Sequence, residues 1–263
     1  MSALDPMLMP DAQQMAVADR VLDEEGASRE HIVVSLSGAH AYGFPSPDSD
    51  LDLKAIHVER TARLVGLSSP SLHATRMQII DGVEIDYSSN ELGPVLSGIL
   101  GGNGNYVERV LGPLPLRRSP LVEELMPLVT SSLSTRIHRH YHGFARGQLQ
   151  ELDNAPQPTA KKILYVLRTA LTGIHVLLTG NIVTDVNQLL PQYGFADASE
   201  LVTAKREGER VVLDVSLRER WRRDVERALA SLDDALVRSS LPSEPRNRDA
   251  VETWLLDVRR RYF

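Results

Sequence analysis

The 263-residue chain contains no cysteine, which excludes disulfides, thiolate zinc sites and cysteine nucleophiles. It has no basic excess either. Lys and Arg number 29 against 35 Asp and Glu, a formal charge of −6. That balance argues against a polyanion binder acting over its whole surface and leaves room for a local basic patch. Residues 1–14 carry acidic side chains and no basic n-region, so no signal peptide is expected. The most apolar helical stretch is interrupted by Arg168 and His175, so the reading expects no membrane span and a cytoplasmic protein. Internal repeats and low-complexity tracts are lacking as well. What remains is an ordinary globular composition, 42% hydrophobic and 24% charged. The chain is long enough for one large domain or two small ones.

Residues 11–24 place Val17, Val21 and Leu22 on one side of an amphipathic helix. His31–Ser37 is a β-branched run that reads as a strand ending at Gly38. A loop rich in Gly, Pro, Ser and Asp is expected up to Ser49, and Leu51, Leu53, Ile56 and Val58 predict a second strand. Segments 77–80 and 83–87 flank Asp81-Gly82, the signal for a type I′ hairpin. Beyond Asn90 the pattern turns helical, over 91–100 and 105–111, with Gly101–Asn105 between them as a mobile substrate loop or a plain connection. Pro113, Pro115 and Pro120 punctuate a connection. Further helices are expected at 120–132, 134–151, 160–179, 184–206, 214–238 and 247–260; in the fifth, Leu217, Trp221, Val225, Leu229, Leu232 and Leu236 keep the period. The expected fold class is α+β: a mixed β-sheet with flanking helices over 1–115, followed by an all-helical unit over 116–263.

The informative stretch is Ser37–His57. A strand delivers the chain to Gly38, and Asp50 and Asp52 arrive at the start of the next strand. Positions i and i+2 on a strand face the same way, so these carboxylates converge. They repel each other unless a cation lies between them. Hard oxygen ligands suit Mg²⁺, which takes one or two carboxylates together with substrate phosphates. Gly38, without a Cβ, lets a triphosphate approach the backbone.

Gly38-Ala39, ten residues, then Asp50-x-Asp52 resembles the Gly-Ser-x10-Asp-x-Asp signature of the DNA polymerase β-like nucleotidyltransferase superfamily. The longer string with Tyr42-Gly43-Phe44 and Pro47-Asp48-Ser49-Asp50 is similar to a bacterial subgroup of RNA-ligase-associated nucleotidyltransferase-like proteins. The resemblance runs on through Gly101–Glu108, the Lys161–Arg168 helix and Lys205-Arg206-Glu207-Gly208. It implies an enzyme that moves a nucleoside monophosphate from an NTP, ATP among them, to an acceptor hydroxyl with release of pyrophosphate. Mg²⁺ (or Mn²⁺) would serve as cofactor, and an RNA 3′ end, a protein or a small molecule as acceptor. It also implies a third carboxylate on a neighbouring strand. Asp86, with Glu84 as the same-face alternative, matches that position, so Asp50, Asp52 and Asp86 are the expected metal ligands and catalytic residues. Ser37, Gly38, Ala39, Tyr42 and Ser49 are expected at the nucleotide. The departure is Ala39, where the family has serine. One lost neutral hydrogen bond is worth on the order of 1 kcal/mol; Ser37 is the candidate substitute, and an inactive nucleotide-binding relative is the rival reading.

Asp48, Asp50, Asp52 and Glu59 mimic an EF-hand loop, but Leu53 stands where that loop requires glycine. Lys161, Tyr165, Arg168, Thr172 and His175 share one helix face. Either it is solvated, or Lys161, Tyr165 and Arg168 bind nucleotide across a cleft from Asp50 and Asp52. His138, His140 and His142, with Arg136, Arg139 and Arg146, form a basic stretch without the spacing for zinc, since i and i+2 diverge on a helix. That stretch is a solvated face or a patch for RNA. His40 and Tyr42 line the nucleotide pocket or pack beneath the loop.

Overall fold

The computed structural model describes residues 9–67, 69–155, 159–207 and 215–263. Residues 1–8, Gly208, residue 214 and the side chain of Leu217 lie outside the described set. In chain order the elements are α1 (Ala12–Gly26), β1 (Glu30–Leu36), α2 (Gly38–Tyr42), β2 (Leu51–Val58), α3 (Thr61–Val65), β3 (His73–Ile80), β4 (Val83–Glu91), α4 (Leu92–Leu100), α5 (Gly104–Leu111), β5 (Pro115–Arg118) and α6 (Leu121–Ser131). Then come α7 (Ile137–Asn154), α8 (Ala160–Thr179), α9 (Val186–Gln192), α10 (Ser199–Glu207), α11 (Val215–Arg238) and α12 (Arg248–Arg261). The class is α+β, a five-stranded mixed sheet with flanking helices and a helical region in the C-terminal half.

Two compact units arise, each discontinuous in sequence: Met9–Gly38, Asp50–Leu133 and Glu244–Phe263 in one, Ala39–Ser49 with Ser134–Ser243 in the other. The sequence reading draws a single boundary at 115/116. The contacts instead group α6 and α12 with the sheet, and the segment 39–49 with the helices.

In the sheet unit the strand order is β3-β4-β2-β1-β5. β2 and β4 are parallel, and the remaining pairs antiparallel. The expected hairpin is present: Asp81 and Gly82 take φ of 51° and 82°, the two positive values a type I′ turn requires. α1 begins in a capping box in which Asp11 accepts from the Gln14 N–H and the Gln14 side chain accepts from the Asp11 N–H. It packs on the sheet face that carries Leu51, Leu53, Ile85 and Tyr87, all fully buried. On the other face α4 and α5 cover one end. There Arg109 donates to Asn90 Oδ1 at 2.6 Å and to the Ala55 carbonyl at 3.1 Å. α12 returns to this unit, where Arg259 pairs with the buried Glu91 at 2.6 Å and Thr61 donates to the Arg259 carbonyl.

In the helical unit α8 is the core, buried along most of its length from Ile163 to Leu177. A Cβ on Gly173 would stand 2.7 Å from the Cβ of Tyr141 on α7 and 2.8 Å from Leu232 on α11, so this glycine lets three helices close together. α8 does have the length and composition of a membrane span, contrary to the sequence expectation, yet 78% of that stretch is buried within the protein. The single helix expected over 184–206 is instead α9, a turn at Ala196–Ala198 and α10, with Gly194 at positive φ just beyond the end of α9.

Candidate active site

The site is built where β1 ends. The Ser37 N–H donates to the Asp52 carbonyl at 2.9 Å, extending the β1–β2 ladder by one residue. Gly38 then turns with φ +60°, and a Cβ there would lie 1.8 Å from Asp52 Oδ2. Only glycine satisfies both the left-handed backbone and this approach. Asp50 stands just before β2, and Asp52 and Lys54 occupy the strand face opposite Leu51 and Leu53. The parallel register sets Asp86 directly beside Asp52. Lys54 Nζ bridges the two, 3.3 Å from Asp52 Oδ1 and 2.8 Å from Asp86 Oδ2. Glu84 precedes the β2–β4 ladder, which begins at Leu51–Ile85.

The electrostatics follow from this crowding. Burial pushes the Asp52 carboxyl up to about 6; Asp50 and Asp86 push the same way, and Lys54 opposes them. Asp50, Asp52 and Asp86 against Lys54 give the site a formal charge of about −2, which a divalent cation would offset. The oxygen donors suit Mg²⁺ or Mn²⁺. Among the described residues no three His, Asp or Glu side chains are placed to hold a metal by themselves. Substrate phosphates would have to complete the coordination, which is the usual habit of Mg²⁺. Lys54, two residues beyond Asp52, was legible as a same-face cation from strand period alone; its bridging of two carboxylates was not.

In the helical unit the segment 39–49 is heavily tied down. Arg168 is 5% exposed, and its guanidinium lies 3.5 Å from the centre of the Tyr42 ring. Tyr165 meets Tyr42 and Phe44 edge-on, with ring centroids 5.7 and 5.6 Å apart. Thr184 donates to the Ala41 carbonyl, while Asn187 and Arg206 both donate to that of Gly43. Ser49 is buried, its hydroxyl bonded to the Ser46 N–H at 3.0 Å and reached by Lys205 Nζ at 3.3 Å; Lys205 is fully buried and also donates to Ser46 Oγ. A hydrogen bond from Ser46 lowers the Asp48 carboxyl, with Lys205 and Lys161 assisting. Ala39 is 2% exposed. Lys161, Tyr165 and Arg168 thus meet the signature segment itself. In the sequence Lys205 and Arg206 belong only to a stretch of resemblance, and nothing local marks them as anchors of the segment.

The histidine stretch of α7 is tied to Asp233. His138 and His142 are four apart and do share a face, stacking at 5.1 Å with Nε2 atoms 2.9 and 3.7 Å from Asp233 Oδ1. Arg146 Nε donates to His142 Nε2 at 3.1 Å. His175 bonds the Tyr193 hydroxyl, and Thr172 donates to the Val183 carbonyl.

Comparison with known proteins bears on this geometry. A family model described as "RNA repair pathway DNA polymerase beta family" matches residues 16–257. The chain belongs to that family. The family's description and the signature at Gly38–Asp52 together place the chain among the DNA polymerase β-like nucleotidyltransferases. An uncharacterized protein of Methanocaldococcus jannaschii is 27% identical over 156 residues, 59% of this chain and 63% of the relative. The chain therefore spans less than two thirds of that relative's length. A nucleotidyltransferase-like protein from Exiguobacterium sibiricum is similar at 11% identity and a TM-score of 0.34, covering 95% of this chain and 80% of the other.

Proposed function

We propose that the protein is a divalent-metal-dependent nucleotidyltransferase that moves a nucleoside monophosphate from an NTP to a ribose hydroxyl at an RNA 3′ end. The observation that carries it is the registered pair Asp52–Asp86 bridged by Lys54, with Asp50 two residues upstream on the same strand path. Membership in an RNA repair family supports an RNA acceptor. With substrate phosphates completing the coordination, Asp52, Asp86 and the neighbouring Asp50 would hold Mg²⁺ or Mn²⁺, which supplies charge neutralisation of the triphosphate when bound. Asp86, with 36% of its side chain exposed against 17% for Asp52, is the carboxylate open to an incoming hydroxyl. It accepts the proton as the oxygen bonds to the α-phosphorus and the bond to pyrophosphate breaks. Lys54 holds Asp52 and Asp86 near each other and limits their repulsion. Arg168, Tyr165 and Lys161 act by shaping segment 39–49, which connects Gly38 to Asp50.

The test is pyrophosphate release from each of the four NTPs with an RNA acceptor, with Mg²⁺ and with chelator. Release that depends on metal and acceptor, and is lost in Asp52→Asn, is the expected result. The buried methyl of Ala39 favours a second reading, a nucleotide-binding relative without turnover. Tight NTP binding with no release under any condition would establish it.

A further inference from the structure

β3 is the outer strand beside β4. Its register sets Met77 opposite Asp86 and Ile79 opposite Glu84. Residues paired across an antiparallel ladder project to one face, so Asp52, Asp86 and Met77 form a row across three strands, with Ile79 one step along. Met77 and Ile79 are 76% and 70% exposed. Arg76 turns to the other face, where it pairs with Glu24 of α1 at 2.7 Å. Single exposed apolar residues are ordinary. Two on one strand face, next to the carboxylate that would receive the acceptor hydroxyl, form a continuous apolar strip at the reacting centre.

We propose that Met77 and Ile79 are the acceptor subsite, the shelf on which the 3′-terminal nucleobase of RNA lies while its ribose hydroxyl is at Asp86. This rests on the nucleotidyl-transfer reading above. Adjacent strands lie about 4.8 Å apart, so Met77 begins one strand spacing from Asp86, a span a single nucleoside covers between hydroxyl and base. Charge selects the occupant. Glu84 and Asp86 border the strip and repel a phosphate, whereas an uncharged base brings an apolar face that any sequence shares. The methionine thioether is a favourable partner for such a π-face.

The experiment uses the full chain, comparing wild type with Met77→Ala/Ile79→Ala, on an RNA oligonucleotide and on the same RNA with an abasic 3′-terminal nucleotide. KM is measured separately for RNA and NTP, and direct binding is followed with a fluorescent base analogue at the RNA 3′ end. The expected result is a rise of about tenfold in KM for the intact RNA, with NTP affinity and melting temperature retained. The abasic RNA should cost wild type a similar factor and the double variant almost nothing. An equal abasic penalty in both proteins, or an unchanged RNA KM, overturns the shelf while leaving nucleotidyl transfer intact. Transfer to a peptide paired along the free edge of β3, without RNA binding, overturns it too. Failure of pyrophosphate release in wild type would sink the functional reading instead; the base-analogue binding signal still decides the shelf in that case.

Discussion

Replacing Gly38 with alanine isolates the contact on which the carboxylate geometry depends. At φ +60° an alanine costs about 1–2 kcal/mol through its backbone alone. Its methyl would stand 1.8 Å from Oδ2, 2.8 Å from Cγ and 3.3 Å from Cβ of Asp52. Because the overlap reaches back toward the stem, rotating the terminal carboxylate does not relieve it. The side chain must leave its rotamer well, at about 0.5–1.5 kcal/mol. Together these give about 1.5–3.5 kcal/mol, or roughly 3–14 °C in melting temperature for a chain of this size. Activity suffers more. A carboxylate moved by about 1 Å from its working position loses on the order of a hundredfold in rate. Circular dichroism melts and metal-dependent pyrophosphate release on the purified variant measure both. A variant that melts within about 2 °C of wild type and keeps its rate within about threefold would refute the argument.

Asp52→Asn should stabilise the metal-free protein at neutral pH. Folding holds a proton on Asp52 between about pH 4 and 6 that the unfolded chain releases, so stability falls as pH rises through that window. Removing the charge recovers on the order of 3 kcal/mol at pH 7, read by urea unfolding, and the two curves should merge below about pH 4. His31 runs the other way. Burial lowers it to about 4, so stability drops as pH falls from about 6.5 to 4, and that slope should be plainest in the Asp52→Asn background. Lys205→Met removes the buried donor to Ser46 and Ser49. It should cost about 1–3 kcal/mol and speed amide exchange across 43–49; unchanged exchange there would show that the ammonium does not anchor the segment. Arg259→Ala leaves the 1% exposed Glu91 without its guanidinium partner, at about 3–5 kcal/mol, and adding Glu91→Gln should recover part of the loss in denaturant titrations.

What was legible in the sequence is local. The strand pattern over Leu51–Val58 placed Asp50 and Asp52 on one face, and Asp81-Gly82 marked the hairpin turn. Periodicity found α7, α8 and α11. The parallel pairing of β2 with β4 was not legible, because it joins strands separated by β3 and no turn residue encodes it. The sequence placed Asp86 at the site only through resemblance, and at the end of its strand, whereas it is the fourth residue of β4. β5 was hidden by its four-residue length and by Pro115, which a strand tolerates at its first position. The segment after Gly38 reads as loop by composition, yet Gly38–Tyr42 makes a helical turn whose Tyr42 ring is packed beneath Arg168. Tertiary contact from residues far along the chain decides that conformation, and local propensity does not report it.

The ion pair between Arg259 and Glu91 also sets a timetable for synthesis. The two residues are 168 positions apart. At about 5–20 residues per second of translation, Glu91 emerges roughly 8–34 s before its partner exists. During that interval the sheet carries a carboxylate that its final structure seals from water, so the nascent strands are held short of their last packing step. The sheet unit, although it holds the earlier half of the gene product, cannot be the first to finish. A ribosome stalled before codon 259 should display a protease-sensitive sheet that becomes resistant once α12 is released.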